Sequence, residues 1–382
     1  MNPRSRELSA HLLLPAPQVD GGVRHNGVVE VPPVPRLQGK RSTVYGNDLN
    51  SSDILPLGGD YDLRQIVAAE YGFNRDFIWE YPEAFSTTSR KIIINDGQHH
   101  YYIKEKPKYC CNPYSLALSA QLQEFLASKV GFVPQIVHTN RGDYYLRIRG
   151  NYFFTTVYIK GRLFSSSIID VQSAGETLGI IHSYSEDFSF PDPRNLCASE
   201  DTLQFVDLAE QLPRAGNDPY REETILELRG LVHKYDGKVD KGATYIANHG
   251  DYAPFNLVYD HSGRVVAVND FDNVNFRPRT RDLAGAIISF CDGLSYAGAT
   301  SSLRIPIATA LNIEKVAAFV EGYTENAAAL SEKEKTDLIG EACIRWVKIM
   351  ALGIVRGDFN YEDVLNSLAF PEFIEKRLPA LI

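Results

Sequence analysis

The sequence predicts an α+β protein of two lobes: a small lobe in which one helix lies against an antiparallel sheet, and a larger, mainly helical lobe. Two observations predict this class. Short apolar runs bounded by turn residues fill residues 56–156, whereas apolar residues recur at helical spacing through most of residues 157–382. A chain of 382 residues is also long enough for two packed units.

Residues 1–55 precede both lobes and contain repeated prolines, paired glycines and a polar ending, "GNDLNSSD". This composition does not support a long regular element. We therefore predict an extended arm, which could wrap the folded body, cover a site or be disordered.

The small lobe begins with a helical segment, "DYDLRQIVAAEYGF", whose apolar residues include Leu63, Ile66 and Val67. Two strands follow in "DFIWEY" and "RKIIIN", and the turn "NDGQ" leads into a third, "HHYYIKEK". A helix in "NPYSLALSAQLQEFLASKVGF" precedes at least two more strands, in the segment from "VPQIVHT" through "GDYYLRIRG" to "NYFFTTVYIKG". We expect a five-stranded antiparallel sheet with a helix against it.

The large lobe is expected to be helical almost throughout. Its predicted helices lie in "SAGETLGIIHSYS", "EETILELRGLVHKYD", "RDLAGAIISFCDGL", "NIEKVAAFVEGYTENA", "SEKEKTDLIGEACIRWVKIMALGIV" and "YEDVLNSLAFPEFIEKRL". A two-stranded hairpin, "NLVYDHSGRVVAV", interrupts them. The functional residues are expected around this hairpin, and His182 is expected to pack at a helix end.

Charge and composition limit the partners. The formal net charge is -9 and the pI is about 5.5, which argues against a nucleic-acid backbone or an anionic membrane as the main partner. No apolar run approaches the roughly 18 residues of a membrane-spanning helix. Five cysteines without CxxC spacing favour reduced thiols. We expect a cytoplasmic protein with a small-molecule partner, and the oligomeric state stays open.

Three oxygen-bearing side chains stand around the hairpin. Asp251 and Asn256 lie just ahead of it and Asp270 lies just after it, so the hairpin should return the chain to the same place. An amide oxygen and a carboxylate suit Mg²⁺, whose other positions are filled by water and phosphate. Asp251 would then be available as a base toward a hydroxyl, which is the division of labour that phosphoryl transfer needs.

Phosphoryl transfer also needs groups that hold the phosphates of the nucleotide. Lys104, near the end of the third strand of the small lobe, is placed for this role. The loop between the first two strands could add backbone N–H groups and hydroxyls from Ser86, Thr87 and Thr88.

Three motifs lie around the hairpin and after it: "HGDYAPFN" at 249–256, "VNDFD" at 268–272 and "RDLAG" at 281–285. Together they resemble the aminoglycoside phosphotransferase and choline kinase-like superfamily. Upstream, "GFVPQIVHTNRGDYYLRIRGNYFFTTVYIKGR" and "GETLGIIHSYS" are most similar to the spore-coat CotS-like and homoserine-kinase-like branch. The resemblance covers residues from about 60 to 345 and implies a bilobal protein-kinase-like fold.

For the large lobe, the resemblance implies one role for each matching residue. Asp251 would be the catalytic base, and Asn256 and Asp270 would hold Mg²⁺. His249 would orient the catalytic loop, and Asp282 would brace that loop from the following helix.

For the small lobe, the resemblance implies that Lys104 binds the phosphates of ATP. It also implies a hinge whose backbone binds adenine, formed by Val157, Tyr158 and Ile159. The family usually pairs the lysine with a Glu on the next helix, but here the aligned position falls near Ser119 and Glu124 follows it, so either Glu124 makes the pair or the pair is absent. The loop "PEAFSTTS" also lacks the glycines that are common in relatives.

These observations predict an ATP- and Mg²⁺-dependent phosphotransferase acting on a hydroxyl of a small molecule. The segment between Asp270 and Asp282 is too short for the activation segment of a protein kinase. An amine-bearing acceptor such as an aminoglycoside, an amino alcohol or homoserine would suit an acidic chain, with Tyr252, Asn275 and Asp292 as acceptor contacts. Three alternatives stay open: a catalytically silent scaffold, a kinase acting on peptide Ser/Thr, and metal-assisted hydrolysis of ATP.

Overall fold

A computed structural model describes residues 60–73, 78–80, 90–106, 112–191, 198–212, 218–235, 245–291 and 310–382. The predicted N-terminal arm lies outside the described residues, as do Ser86, Thr87, Thr88 and Asp292. The chain divides into two compact units. The first contains the described residues up to Ser128 together with Pro134–Ile159, and the second contains Lys129–Val133 and Lys160–Ile382.

The first unit is built on an antiparallel sheet that, in the described part of the chain, has five strands. Its order is β1-β2-β3-β5-β4. The strands are β1 (Ile78–Glu80), β2 (Arg90–Asn95), β3 (His100–Lys106), β4 (Tyr145–Ile148) and β5 (Asn151–Val157). The turn between β2 and β3 is held by Asp96, which accepts hydrogen bonds from the backbone N–H groups of Gln98 (2.9 Å) and His99 (2.7 Å). The predicted five-stranded antiparallel sheet is confirmed.

Two helices cover the two faces of this sheet. Helix α1 (Asp60–Tyr71) buries Leu63 and Val67 against Ile92, Ile94, Ile103 and other sheet residues. Helix α2 (Pro113–Ala127) packs on the other face, where Leu116 and Ala120 meet Tyr145. Alternate residues of β4 and β5 belong to the two clusters, as the period of two in a strand requires.

The second unit is mainly helical, as predicted. Its helices are α3 (Ile168–Ser185), α4 (Ala198–Gln211), α5 (Arg221–Tyr235), α6 (Arg279–Cys291), α7 (Ile313–Asn326), α8 (Glu332–Arg356), α9 (Tyr361–Leu365) and α10 (Ala369–Arg377). Helix α4 was not predicted from the sequence. The C-terminal helical segment is also two helices rather than one, and Pro371 occupies the first turn of the second, where proline is tolerated.

Two short strand pairs interrupt the helices of the second unit. Strands β7 (Leu257–Tyr259) and β8 (Val265–Val268) form the predicted hairpin. A second antiparallel pair, β6 (Tyr245–Asn248) with β9 (Asn275–Pro278), was not predicted. The expectation that only the hairpin interrupts the helices is therefore wrong. Chain segments enter and leave the hairpin region through β6 and β9.

Helices α3 and α7 pack backbone against backbone. A Cβ atom on Gly175 would lie 2.0 Å from the carbonyl oxygen of Phe319, and one on Gly179 would lie 2.5 Å from that of Tyr323. From the other side, a Cβ on Gly322 would lie 2.2 Å from the carbonyl oxygen of Gln172. The three glycines therefore allow a close helix crossing that any side chain would prevent.

Within the described residues, the helices are all too short or too polar to cross a lipid bilayer.

Candidate active site

The loop after β6 carries the predicted catalytic residues and depends on Gly250. This glycine has φ of +80°, and a Cβ atom there would lie 2.0 Å from the carbonyl oxygen of Asn273 and 2.7 Å from Nδ2 of Asn275. Both the left-handed backbone and the close approach require glycine. The loop is thus held directly against the chain segment that follows Asp270.

Asp282 lies in the first turn of α6 and connects that helix to the loop. Its carboxylate accepts hydrogen bonds from the backbone N–H groups of His249 (2.8 Å, to Oδ2) and Gly250 (2.9 Å, to Oδ1). Burial would raise the pKa of the Asp282 carboxyl, but the hydrogen bond from His182, the electrostatic effect of the nearby His182 and His249 rings, and the Gly250 N–H together hold this pKa below its ordinary value. The carboxylate form is therefore the form that holds the loop.

His182 takes part in this bracing, in addition to packing. The ring on α3 is fully buried, with Nδ1 2.9 Å from the hydroxyl of Tyr323 and Nε2 3.5 Å from Oδ2 of Asp282. This histidine was predicted from the sequence to pack at a helix end, and its contact with Asp282 was not predicted. The fully buried ring lies behind the loop, and so His182 has no access to a reacting group.

His249 holds the loop from within. Its ring is fully buried and contacts Phe271, at 4.7 Å between ring centroids. The backbone N–H of Asp251 donates to Nδ1 (3.3 Å), and Nε2 lies 2.9 Å from the carbonyl oxygen of Asn269. Because Nδ1 must accept, the proton of the neutral ring belongs on Nε2, which donates to Asn269. His249 thus links the start of the loop to the end of the hairpin.

Asp251 and Asn256 are joined by side-chain contacts. Nδ2 of Asn256 donates to the carbonyl oxygen of Asp251 (2.8 Å) and lies 3.3 Å from its Oδ2. With Nδ2 turned to Asp251, the Oδ1 of Asn256 is the atom that suits a cation. Asn256 is buried, whereas the Asp251 side chain is 28% exposed, so the carboxylate can meet a ligand.

Asp270 lies at the same end of the hairpin as Asn256. The pairing of Leu257 with Val268 places the residues flanking β7 and β8 together, and the N–H of Asn269 donates to the carbonyl oxygen of Asn256 (2.8 Å). Asp270 itself has φ of +67° and ψ of 56°, a left-handed conformation that is uncommon for a residue with a side chain. Strain of this kind persists where the surrounding structure imposes it, and it is concentrated at functional sites.

Two predicted acceptor contacts have structural roles in this unit. Tyr252 is buried and its hydroxyl donates to the carbonyl oxygen of Ala174 (2.8 Å), so it packs in the interior rather than facing an acceptor. Nδ2 of Asn275 donates to the carbonyl oxygen of Asn273 (2.6 Å) and supports the turn that lies against Gly250.

The predicted nucleotide residues lie in the first unit. Lys104 is buried on β3, where it is paired with Phe154, a residue of the cluster on the α2 face. Lys106 lies on the same face, with Nζ 5.5 Å from the centre of the Phe154 ring, and was missed by the sequence analysis. The signal for it was the alternation along the strand, since residues two apart share a face.

Glu124, the predicted partner of the lysine, contacts a histidine and a tyrosine. Its Oε1 lies 2.9 Å from Nε2 of His138, and its Oε2 accepts a hydrogen bond from the hydroxyl of Tyr144 (2.5 Å). The hydrogen bond from Glu124 raises the pKa of His138. Both carboxylate oxygens of Glu124 are therefore engaged, and Ser119, at the aligned position, is buried on α2.

The predicted hinge uses part of its backbone internally. The N–H of Val157 donates to the carbonyl oxygen of Gln135 (2.9 Å), and the N–H of Tyr158 donates to that of His100 (2.8 Å). These two donors are therefore committed within the first unit. Ile159 is the last residue of this unit.

Comparison with known proteins agrees with this fold. Among solved structures, an amicoumacin kinase in complex with AMP-PNP and Ca²⁺ has a TM-score of 0.60 at 17% identity, with 84% of this chain and 96% of that chain covered. A microcompartment-associated aminopropanol kinase has a TM-score of 0.60 at 15% identity, covering 85% and 99%. A spectinomycin phosphotransferase in complex with ADP and spectinomycin has a TM-score of 0.58 at 14% identity, covering 86% and 98%.

At these identities the structural matches show a shared fold, and the predicted kinase-like fold is confirmed. No curated protein matches the sequence. The matches do not place the chain in the spore-coat CotS-like or homoserine-kinase-like branch. The profile of the phosphotransferase enzyme family matches residues 92–323, which is more than half of the chain. The chain therefore belongs to the phosphotransferase enzyme family.

Proposed function

We propose that this phosphotransferase transfers the γ-phosphoryl group of ATP to a hydroxyl group of a small molecule, with Asp251 as the base. The observation that carries the proposal is the contrast around Asp251. Its neighbours His249 and Asn256 are buried and hydrogen-bonded, whereas its own carboxylate is 28% exposed. A general base needs an accessible carboxylate that is held in position by buried, hydrogen-bonded neighbours, and Asp251 meets both requirements.

The residues at the hairpin end fit Mg²⁺. Asn256 would offer Oδ1 and Asp270 a carboxylate, and both are oxygen ligands of the kind that a hard cation accepts. Within the described residues, His, Cys, Asp and Glu form no cluster of three or more that could hold a metal by themselves. Such a partial set agrees with Mg²⁺, which usually takes one or two carboxylates and completes its shell with water and substrate phosphates. Bound there, Mg²⁺ would neutralise phosphate charge.

In the proposed reaction the acceptor hydroxyl donates a hydrogen bond to Asp251. As the acceptor oxygen bonds to the γ-phosphorus, its proton passes to Asp251 and the bond from phosphorus to the bridging oxygen breaks, which releases ADP. The braced loop would hold Asp251 in place, since a misplacement of about 1 Å can cost about 100-fold in rate.

The first unit would supply nucleotide contacts. Lys104, with Lys106 on the same face, would balance phosphate charge. Because the N–H groups of Val157 and Tyr158 are committed, adenine would be bound through Ile159 or through backbone carbonyl groups. The nucleotides in the amicoumacin kinase and spectinomycin phosphotransferase structures support ATP as the donor.

Small acceptors are favoured by the short segment between Asp270 and Asp282, and also by the relatives, which are named for amicoumacin, aminopropanol and spectinomycin. A second candidate is a nucleotide-binding scaffold without turnover. It is favoured by Ser119, which is buried on α2 at the position where the family usually has a Glu.

Thermal-shift titration with ATP and Mg²⁺, followed by turnover assays, tests the proposal. The wild type should be stabilised by the nucleotide in a Mg²⁺-dependent way, by about 2.7 kcal/mol at 100 times the Kd. Asp270→Asn should lose that dependence. Asp251→Asn should keep the shift but lose about 10²- to 10⁴-fold in turnover.

The control is Asp358→Asn, which changes an exposed residue beyond α8 and should behave as the wild type. Binding without turnover on a broad panel of alcohols would support the scaffold. Absence of any Mg²⁺–ATP shift would refute both candidates.

A further inference from the structure

Helices α3 and α7 run in the same direction, so their N-termini lie at the same end of the helix pair. Gly175 of α3 lies against the carbonyl group of Phe319 on α7. Gly179, one turn later on α3, lies against that of Tyr323, one turn later on α7. Each helix N-terminus carries a partial positive charge, and in this protein two of them are neighbours.

The first turns of both helices are capped, but not all of their N–H groups are bonded. The side chain of Ser167 accepts from the N–H of Asp170 (3.2 Å), and that of Asn312 accepts from the N–H of Lys315 (3.1 Å). The other N–H groups of these turns have no acceptor among the described residues. They belong to Ile168, Ile169, Ile313 and Glu314. Such groups can donate to an anion.

Lys315 places a positive charge between the two N-termini. It lies in the first turn of α7, and its Nζ donates to Oγ of Ser166 (2.5 Å), the residue before the N-cap of α3. Only 9% of Lys315 is exposed, and no carboxylate in the described part of the chain lies within 4.0 Å of Nζ. The ammonium group has three N–H donors, of which the neutral Ser166 hydroxyl accepts one. Lysine is rarely buried to this extent without an opposite charge, so an added anion would stabilise Lys315.

The nearby carboxylates leave this positive charge uncompensated. Asp170, in the first turn of α3, is buried, and its Oδ1 accepts from Nη2 of Arg162 (2.6 Å), so that pair is neutral overall. Oδ2 of Asp170 accepts from Nη1 of Arg162 and from the N–H of Ser165, both at 2.8 Å. Glu314, in the first turn of α7, is exposed. Solvent therefore screens the charge of Glu314 more than that of the buried Lys315.

We propose that a phosphate group, either the inorganic ion or the phosphate of a small ester, binds between the first turns of α3 and α7. Its oxygens would accept from the Lys315 ammonium group, from the Ser166 hydroxyl and from N–H groups of both turns. The site is separate from the catalytic loop. At 1.5 Å per residue, Ile168 lies about 20 Å along α3 from His182, which contacts Asp282. This inference goes beyond the proposed function and does not depend on it.

Thermal-shift titration with sodium phosphate tests the proposal, with the ionic strength kept constant by sodium chloride. The wild type should be stabilised by phosphate more than by chloride, both with and without saturating ATP and Mg²⁺, because the site lies apart from the proposed nucleotide site. A parallel titration with glycerol 3-phosphate separates the two sources of the phosphate group. The source with the lower Kd that depends on Lys315 is the one that the site accepts.

Substitutions assign the binding to Lys315. Lys315→Gln should raise the Kd for phosphate at least about 10-fold, because a hydrogen bond between charged groups is lost. Lys160→Gln is the matched control, since it removes an exposed lysine from the segment that precedes α3 and should leave the Kd unchanged. Unfolding curves without phosphate separate a binding defect from a folding defect. Phosphate should also slow amide hydrogen exchange in the first turns of α3 and α7 in the wild type, but not in Lys315→Gln.

Several outcomes would overturn the inference. It fails if phosphate stabilises the wild type no more than chloride does, if Lys315→Gln binds phosphate as the wild type does, or if the two lysine variants weaken binding equally. It also fails if ATP with Mg²⁺ abolishes the effect of phosphate, since phosphate would then occupy the nucleotide site. A response to phosphate without any response to ATP would instead be a failure of the proposed function alone.

Discussion

Replacement of Asp282 by Asn should loosen the catalytic loop while leaving the shape of the residue nearly unchanged. In the native protein the two carboxylate oxygens accept one backbone N–H each, from His249 and from Gly250. An asparagine has one carbonyl oxygen, so one of these buried N–H groups would face an NH₂ group. A hydrogen bond to a charged group contributes about 1.5–3 kcal/mol and an unsatisfied buried donor costs about 1–3 kcal/mol, so we expect a loss of about 2–4 kcal/mol.

The effect of Asp282→Asn should depend on pH. The folded-state pKa of Asp282 is lowered, so its contribution to stability is present above the ordinary carboxyl pKa, about 3.9, and is lost as the pH falls through the lower folded value. The difference in unfolding free energy between wild type and variant should therefore be full at pH 7 and shrink in acid.

Urea unfolding at several pH values measures this difference, and amide hydrogen exchange of His249 and Gly250 reports whether the loop itself has loosened. Asp337→Asn is the control, because it changes another buried aspartate, paired with Lys333 on α8, and should leave exchange in the loop unchanged. Stability within about 0.5 kcal/mol of wild type, together with unchanged protection of both amides, would refute the bracing role.

Three further changes test separate parts of the second unit. Gly250→Ala should cost at least about 1–3 kcal/mol in unfolding free energy and abolish turnover, because a Cβ would meet the carbonyl oxygen of Asn273; normal thermal stability would contradict this. Glu341→Gln should lower the unfolding free energy by about 3–5 kcal/mol, since Arg281 would stay buried without its carboxylate partner. Arg229→Ala should lower it by less than about 1 kcal/mol, because the ion pairs of Arg229 are partly exposed. Equal losses for the two variants in urea unfolding would be inconsistent with this. Burial raises the pKa of Glu334, but the hydrogen bond from Arg279 outweighs burial and the pKa is lowered to about 2. The stability that the Glu334 carboxylate contributes should therefore be lost as the pH falls from about 4.5 toward 2. A Glu334→Gln variant with the same midpoint of acid unfolding as the wild type would contradict this.

The elements that could be predicted are those whose signal is local. The apolar runs of β2 and β3 and the turn between them predicted the sheet of the first unit, and "HGDYAPFN" predicted the loop. Helix α4 was not predicted, although the sequence carries a signal for it. Thr202, Val206 and Ala209 follow one another at helical spacing, and all three are buried. Strands β6 and β9 have four residues each, too few for a period to be recognised.

The parts of the candidate site that were missed depend on contacts between distant segments. The contact of His182 with Asp282 joins α3 to α6, and that of Arg345 with Asp251 joins α8 to the loop. The two residues of each pair lie far apart in the sequence, so their spacing does not predict that they are in contact. Glu124 was correctly predicted to lie on α2. Its contacts with His138 and Tyr144 could not be predicted, because they depend on the tertiary structure.

The glycine contacts between α3 and α7 have a consequence for how this protein can change. Gly175, Gly179 and Gly322 are far along the chain from Asp251, yet the helix crossing that they permit brings His182 to Tyr323, which holds the ring that touches Asp282. A saturation mutagenesis screen should therefore find these positions as intolerant as the loop itself. Exposed residues of the same helices, such as Ile169, should accept many substitutions. Variation that alters the acceptor would then have to come from positions that leave this crossing intact.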